Sequence, residues 1–524
     1  MRSMQTRNCD PKPIAALLAL YLQEAKVDLD NYYTDIIIGL MKLYQSDDPD
    51  VLKYAAQGLG TLVKRIEPKE LTRQVVTFRR TLRDLVSPTG GTTGSVPAKG
   101  LPGFSTPAGA QPVLTVFREG LLNGPPDVKE QSAEGLGDVV RLSTEAALRP
   151  NVVALTGPLI RVLGDRYSPN TKVSILKTIA SLLDKVALLM KPFLPQLQST
   201  FLKALADAGS KGVRLGAAKA LARLSAIHPK PDNLIGELSN QIASAQDAAL
   251  KETFLVCARG CVVRIAGKLS VEPRRKLLSG LVESMQSREE GVRVAAGAAL
   301  GAFAVASGIT DLEARNAMID ELLIDGGGSS DSGWELTHAR TVALQVALAE
   351  NSACLLASDT LRSEQIERRI QARMGSDKVP ICMAAIRCCG LYILTMEEGQ
   401  LSQTLLQYLC RALNNHSTDV KQQTAITLHH LNARALTNPE LKIITPTLVN
   451  GTKEKNSAVR SASEEALTAL MKLSDGNEFY QSFVGTLDPG IKESLQEVYS
   501  KTLIKLARKV DAVPNLSLDD TVQV

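Results

Sequence analysis

Apolar positions along this chain recur in a fixed helical pattern: a Val, a basic residue one or two positions on, a small residue four or five on, and a Leu eight on. The clearest copies begin at Val51 (Lys53, Ala55, Leu59), Val128 (Lys129, Ala133, Leu136), Val213 (Arg214, Ala217, Leu221) and Val292 (Arg293, Ala296, Leu300). Two more begin at Val420 (Lys421, Ala425, Leu428) and Val459 (Arg460, Ser463, Leu467). Their starts are separated by near-multiples of about 40 residues, the period of a stacked α-helical array, so the skipped registers are expected to hold degenerate copies. Positions 0, +4 and +8 of an α-helix advance by only about 40° per step and form one stripe. Val and Leu on that stripe fill the layer between helices, and the small residue lets a neighbouring backbone approach. The basic residue lies off the stripe, where it can pair with acids at the repeat corner. Asp50, Asp127 and Asp419 precede the Val, where an N-cap acceptor is wanted.

A partner helix precedes each of these helices, and Lys191 to Leu224 contains one whole unit. Phe193, Leu194, Leu197, Phe201, Leu202 and Leu205 make the first apolar face, 208–212 make the turn, and Val213 opens the second helix. The expected fold is all-α, a right-handed HEAT-repeat solenoid. Aromatics are 4% of residues, with one Trp, so the core must be built from Ala, Leu, Val and Ile, as thin two-helix layers require. A chain of 524 residues exceeds a single globular core, but each repeat of a solenoid contacts only its neighbours.

Two segments break the rhythm. From Ser87 to Pro112 the chain is rich in Gly, Pro, Ser and Thr and predicts a long flexible loop between repeats. Glycines precede Lys99 there, yet a phosphate-binding loop needs Ser or Thr after its Lys, and Gly100 follows. Asp325 to Ser330 reads as a second linker, and the tail after Val510 as frayed. The expected organisation is N-terminal repeats over 1–86, the loop over 87–112, central repeats over 113–310, C-terminal repeats over 311–510 and a tail over 511–524.

Charge and candidate chemistry narrow the function. The balance of 60 Lys and Arg against 55 Asp and Glu is too even for a protein devoted to neutralising phosphates. Eight cysteines fall mostly inside apolar helical stretches, and no apolar run approaches about 18 residues, which predicts reduced thiols, no membrane span and a cytoplasmic address. Cys257 and Cys261 share one helix face without a His or carboxylate cluster, and His429-His430 lacks the Glu of a zincin motif. Neither a nucleophile elbow nor an acid pair in a Gly-rich pocket appears, so no enzyme activity, metal or cofactor is expected. Arg73, Arg79, Arg80 and Arg83, and the run Arg274-Arg275-Lys276, read as solvated helix faces or as a binding strip. No aromatic pattern interleaves with them to stack bases, which argues against sequence-specific nucleic-acid binding.

Four strings go beyond the generic repeat: LRPNVVALTGPLIRVLGDR at 148–166, KPFLPQLQSTFLKAL at 191–205, LPGF at 101–104 and VFREGLL at 116–122. With them the chain, from about Leu20 to about Leu503, resembles the C-terminal part of the general control nonderepressible one family. The resemblance implies a non-enzymatic scaffold of the amino-acid-starvation response, whose C-terminal HEAT array binds the RWD domain of the kinase that phosphorylates initiation factor two alpha. The family engages ribosomes and an ATP-binding-cassette partner through an elongation-factor-three-like array that this chain lacks, so those contacts are expected of the full-length family rather than of this chain. An importin-like cargo carrier would share the architecture, but such carriers show acidic or Trp/Asn-rich inner surfaces, and Trp334 is the one Trp here. Under the family reading the candidate docking residues are Arg161 and Arg166, flanking Gly164 in the most specific string, with Arg149, Lys172, Lys191 and Arg214 on adjacent turns or helix starts. An ordinary repeat-corner salt bridge is the competing role for Arg214.

Overall fold

A computed structural model describes residues 10–24, 27, 29–86, 100–164, 167–309, 311–324, 333–356, 360–396, 403–431, 436–474 and 483–510. The linker at 325–330 and the tail at 511–524 lie outside them. Every described element is helical, with no strand among the described residues. The chain forms two compact units, Met1–Leu277 and Leu278–Val524.

The first unit opens with α1 (Pro11–Glu24), α2 (Tyr33–Lys42), α3 (Pro49–Arg65), α4 (Pro68–Val86), α5 (Pro107–Asn123) and α6 (Pro126–Leu142). The single turn α7 (Glu145–Leu148) leads into α8 (Val152–Gly164), α9 (Pro169–Val186), α10 (Leu194–Leu205), α11 (Lys211–Ser225), α12 (Pro231–Ser244) and α13 (Ala248–Ile265). Short connections turn each helix back on its predecessor, and the helices stack in two rows. One row contains α1, α3, α5, α8 and α10; the other contains α2, α4, α6, α9, α11 and α13. The unit boundary falls inside α14 (Val271–Met285). In the second unit α15 (Glu290–Ala304) stacks through α17 (Trp334–Leu356), α19 (Val379–Leu394) and α21 (Thr418–His430) to α23 (Ser457–Ser474). The other row holds α16 (Leu312–Leu323), α18 (Thr360–Met374), α20 (Gln403–Arg411), α22 (Asn438–Gly451) and α24 (Pro489–Val510).

The apolar stripe is the core. Val, small residue and Leu of all six clear copies are buried, from Val51, Ala55 and Leu59 to Val459, Ser463 and Leu467. Helices α9, α13, α17 and α19 occupy skipped registers, as expected of degenerate copies. The interval between Val51 and Val128 differs: among the described residues only α4 and α5 lie between α3 and α6, so the two copies fall in opposite rows.

Three local expectations need correction. The loop predicted over 87–112 is ordered from Gly100 onward; its 87–99 part lies outside the described residues. Leu101 donates its N–H to Leu142 O at 3.2 Å, and Phe104 O accepts from Thr144 N at 3.3 Å. Phe104 is fully buried edge-to-face against Tyr44, whose hydroxyl donates to Gly109 O at 2.9 Å. Gly103 lies so close to Tyr44 that a Cβ would come within 2.2 Å of the ring. Glycine therefore marks close backbone approach in this strap, which holds the 3-10 turn after α2, Leu43–Gln45, against the α6–α7 corner. The aspartates before the Val are not N-caps either. Asp48 caps α3, and Pro125 and Ser417 stand at the N-cap positions of α6 and α21. Pro49 and Pro126 start their helices one residue early, leaving Asp50 and Asp127 in the first turn, where a carboxylate still complements the positive helix end.

The third correction concerns the repeat corner. The basic residue after the Val reaches mainly backbone. Lys129 Nζ donates to Leu121 O and Leu122 O at 3.1 and 2.7 Å, and Arg214 Nη1 to Asp207 O at 3.0 Å. Arg293 Nη1 donates to Ser287 O and Arg288 O at 3.2 and 2.9 Å, and Arg460 Nη1 to Glu454 O and Lys455 O at 2.8 and 2.7 Å. These carbonyls belong to the end of the preceding helix and its turn, where up to four acceptors lack intrahelical partners and a cation meets the negative helix end. Lys421 follows the expected acid pairing, with Glu454 at 2.8 Å, and Lys53 is exposed.

At Arg293 the corner is elaborated. Its guanidinium lies 4.8 Å from the Trp334 ring centroid, and its Nε donates to His338 Nδ1 at 3.1 Å, joining α15 to α17. Those helices also touch backbone to backbone: a Cβ on Gly297 or Gly301 would come within 2.3 or 2.1 Å of Ala339 O or Ala343 O. Gly301→Ala is expected to destabilise the second unit by about 2 kcal/mol, an overpacking cost. Gly157→Ala, with nothing within 4 Å, should be neutral or mildly stabilising, and denaturant melts of both variants check the contrast. Burial, with Arg293 and Arg387 nearby, pushes His338 down from 6.5 to about 4. Because the unfolded chain takes up this proton first, stability should fall as pH drops from 6.5 to about 4 and then level off. The loss should approach about 3 kcal/mol and be absent above pH 7, as melts of the wild type against His338→Gln would read.

Candidate docking surface

Thr144 caps α7 by accepting from Ala147 N, and Arg149 at the end of that turn pairs with Glu145 at 2.6 Å, with both side chains exposed. Helix α8 then buries Val152, Leu155, Thr156, Leu159, Val162 and Leu163. Thr156 Oγ1 donates to Val152 O at 2.7 Å and lies 3.4 Å from Met190 Sδ, which seats the 3-10 segment Ala187–Phe193 against the first half of α8. The opposite face of α8 exposes Val153, Ala154, Gly157, Arg161 and Gly164. Arg161 is therefore the one long polar side chain on a face otherwise made of small residues and Val153.

The predicted residues separate into groups. Arg149 and the exposed Lys191 lie toward the start of α8, whereas Arg161 and the half-buried Lys172, in the first turn of α9, lie toward its end. At 1.5 Å per residue the groups are roughly 18 Å apart. Arg166 lies outside the described residues. Arg214 does not belong to the surface: it is 7% exposed, and its guanidinium meets Asp207 O and, at 3.3 Å, Thr253 Oγ1. It fills a corner role, with a carbonyl and a hydroxyl in place of the expected carboxylate.

The other basic candidates are largely spent within the fold. Arg79 is buried between α4 and α6, bound to Glu134 at 3.0 Å and to Asp138; Arg83 also reaches Glu134 at 3.0 Å. Arg73 pairs with Glu70 at 3.1 Å, and Arg80 is exposed. Arg274 Nη2 donates to Leu269 O, Arg275 pairs with Glu272, and Lys276 Nζ meets Asn240 Oδ1. Cys257 and Cys261 are buried, and their mutual hydrogen bond together with burial pushes the Cys257 thiol well above its ordinary value, as for a packed core thiol. Among the described residues no group of three or more His, Cys, Asp or Glu could hold a metal ion, and no helix is long and apolar enough to cross a membrane.

Two apolar residues beside the predicted cations escaped the sequence reading. Val153 and Leu188 are 69% and 71% exposed. Each sits in an apolar run, and hydropathy alone does not tell an outward-facing aliphatic from its buried neighbours.

A stack of helical hairpins, each packed on its neighbours through a buried apolar stripe, defines the class: a HEAT-repeat solenoid. The family described as "Stalled ribosome sensor GCN1-like, HEAT repeats" matches residues 232–522, and a second family of the same description matches 3–108; this chain belongs to the GCN1-like HEAT-repeat family. It is 34% identical over 515 residues to "Stalled ribosome sensor GCN1" of Mus musculus, covering 97% of this chain and 19% of that protein. It is 31% identical over 314 residues to "eIF-2-alpha kinase activator GCN1" of Saccharomyces cerevisiae, covering 60% of this chain and 11% of that protein. The chain thus spans about a fifth or less of the length of these relatives. Among solved structures, yeast importin-β (Kap95p) superposes with a TM-score of 0.50 at 14% identity, over 95% of this chain and 64% of that one, a likeness of fold alone.

Replacing Arg214 by Ala is expected to lower stability by about 1–3 kcal/mol, because it leaves the Asp207 carbonyl without its charged donor. Thermal melts compared with Arg161→Ala, expected to lie within about 0.5 kcal/mol of wild type, check the distinction between corner and surface arginines.

Proposed function

We propose that this chain is a kinase-docking portion of a GCN1-type scaffold. It binds the RWD domain of an initiation factor two alpha kinase and promotes that kinase's activation on ribosomes during amino-acid starvation, without catalysing a reaction itself. The observation that carries the reading is the 31% identity over 314 residues to a yeast protein named as an activator of this kinase. The surface around α8 supports it. A rigid, buried face fixes the helix, an exposed small-residue face admits close approach, and Arg161 stands on that face as a bidentate donor suited to a carboxylate. Val153 and Leu188 supply apolar contact area beside Arg149 and Lys191, the combination of greasy centre and charged rim found at interface hot spots. An importin-like role draws only on the shared fold.

Titration of the full chain with the isolated RWD domain by calorimetry tests this. Arg161→Glu should weaken the complex roughly thirty-fold, the loss of about 2 kcal/mol expected for an arginine anchor, while helicity and melting temperature stay near wild type. An unaltered affinity removes α8 from the site, and absence of binding by the wild-type chain removes the docking reading itself.

A further inference from the structure

The even overall charge conceals a strong local segregation. Helices α9, α11 and α13, which stack on one another in one row of the first unit, carry ten Lys and Arg against two acids. In the same stretch α8 and α10, in the other row, carry one basic residue each, Arg161 and Lys203. Both acids of the basic helices are already neutralised: Asp184 by Arg223 at 2.8 Å and Glu252 by Lys211 at 3.4 Å.

The cations are in register. The buried positions of α9 recur in α11 and again in α13, so that Thr171, Val213 and Thr253 are equivalent, as are Ile175, Ala217 and Cys257. Six residues beyond the first of each set stand Lys177, Lys219 and Arg259, none of them buried. Neighbouring packed helices lie about 8–10 Å apart, so the three rungs form a ladder about 20 Å long. Lys177 and Lys219 form no ion pair among the described residues. Three residues before the rungs stand Ser174, Gly216 and Val256, none of them buried; Gly216 is turned toward Leu176 of α9, and Val256 adds one exposed aliphatic beside Arg259. The equivalent position of α6 is Glu134, held by Arg79 and Arg83, so the ladder ends at a charge of opposite sign.

We propose that this ladder is a binding strip for the sugar-phosphate backbone of a double-stranded nucleic acid, read without regard to base sequence, with an RNA duplex as the probe. Its rungs are mostly lysines, compact point charges suited to phosphates, and its outward stripe has no aromatic plate on which an unpaired base could stack. It also lacks an aromatic anchor of the kind on which protein hot spots are built, which favours a phosphate backbone over an acidic polypeptide. The site lies on the row opposite α8 and stands independently of the kinase-docking reading.

The test uses the full chain and a 20-base-pair RNA duplex of arbitrary sequence, followed by fluorescence anisotropy across a salt series. Lys177→Glu with Lys219→Glu should weaken binding at least about ten-fold at low salt and flatten the logarithmic salt dependence by about two. Lys203→Glu, the same charge change on the other row, should stay within about two-fold. RWD-domain binding should survive the double reversal, so that failure of either site is told from failure of the other. If the double reversal lowers the melting temperature, Lys177→Gln with Lys219→Gln replaces it, with a flattening of the same sign. Unchanged duplex affinity in a folded variant overturns the proposal. So does strip-dependent binding of polyglutamate by a chain that does not bind the duplex, which would assign the strip to an acidic protein.

Discussion

A two-helix repeat has no interior of its own, and the feature that lets one follow another here is a cation that reaches back to the unsatisfied carbonyls of the preceding helix. Lys129, Arg214, Arg293 and Arg460 all do this from the first turn of a stripe helix. Each bond ties the end of one helix to the start of the next, so the turn angle of the hairpin is set by a charge-assisted contact as well as by loop sequence. A hydrogen bond of this kind contributes about 1.5–3 kcal/mol, and its loss would also leave a polar group stranded at the packed corner. With the hairpin angle fixed, the Val and Leu of the stripe meet the next repeat in one register, and the small residue between them decides how closely the two backbones approach.

Close approaches also occur at glycines beside the stripe. Gly297 and Gly301 bring α15 against the carbonyls of α17, and in the first unit Gly135 admits the ring of Phe117. The strap around Phe104 answers a related problem by other means. Where two like-patterned helices fall in different rows, Tyr44 and Phe104 fill the space and Leu142 and Thr144 hold the chain in place. Packing of this kind leaves the surface free of structural duty except at charged corners, which is why the residues available to partners are those the repeat pattern does not use.

Much of the fold was legible because the stripe is repeated: six copies agree on which positions are apolar, and agreement between copies substitutes for tertiary information. What escaped was of two kinds. Backbone acceptors carry no sequence signal, so the corner cations were assigned to acids when all but Lys421 and Lys53 meet carbonyls. Glycine and proline have two opposite uses, freedom and close packing, and composition does not distinguish them. The segment from Gly100 to Pro112 was read as the first when it is the second. At the candidate docking surface, Arg161 was singled out by its place beside Gly164 and is exposed, whereas the burial of Arg214 and Arg79 depends on which neighbouring helix meets them. Total charge, likewise, said nothing about its distribution between rows.

The placement of α3 and α6 in opposite rows has a consequence for how such arrays change over time. In a chain that alternates strictly between two rows, removal or gain of a single helix transfers every later helix to the other side, and with it every side chain a partner could touch. Gln57 of α3 and Glu134 of α6 hold the same place in the repeated pattern yet belong to different rows. Between them the array keeps its helix-to-helix packing while exchanging its outward identity. Parity of helix number, invisible in any single repeat, is thus a heritable property that sets the row in which each outward residue stands.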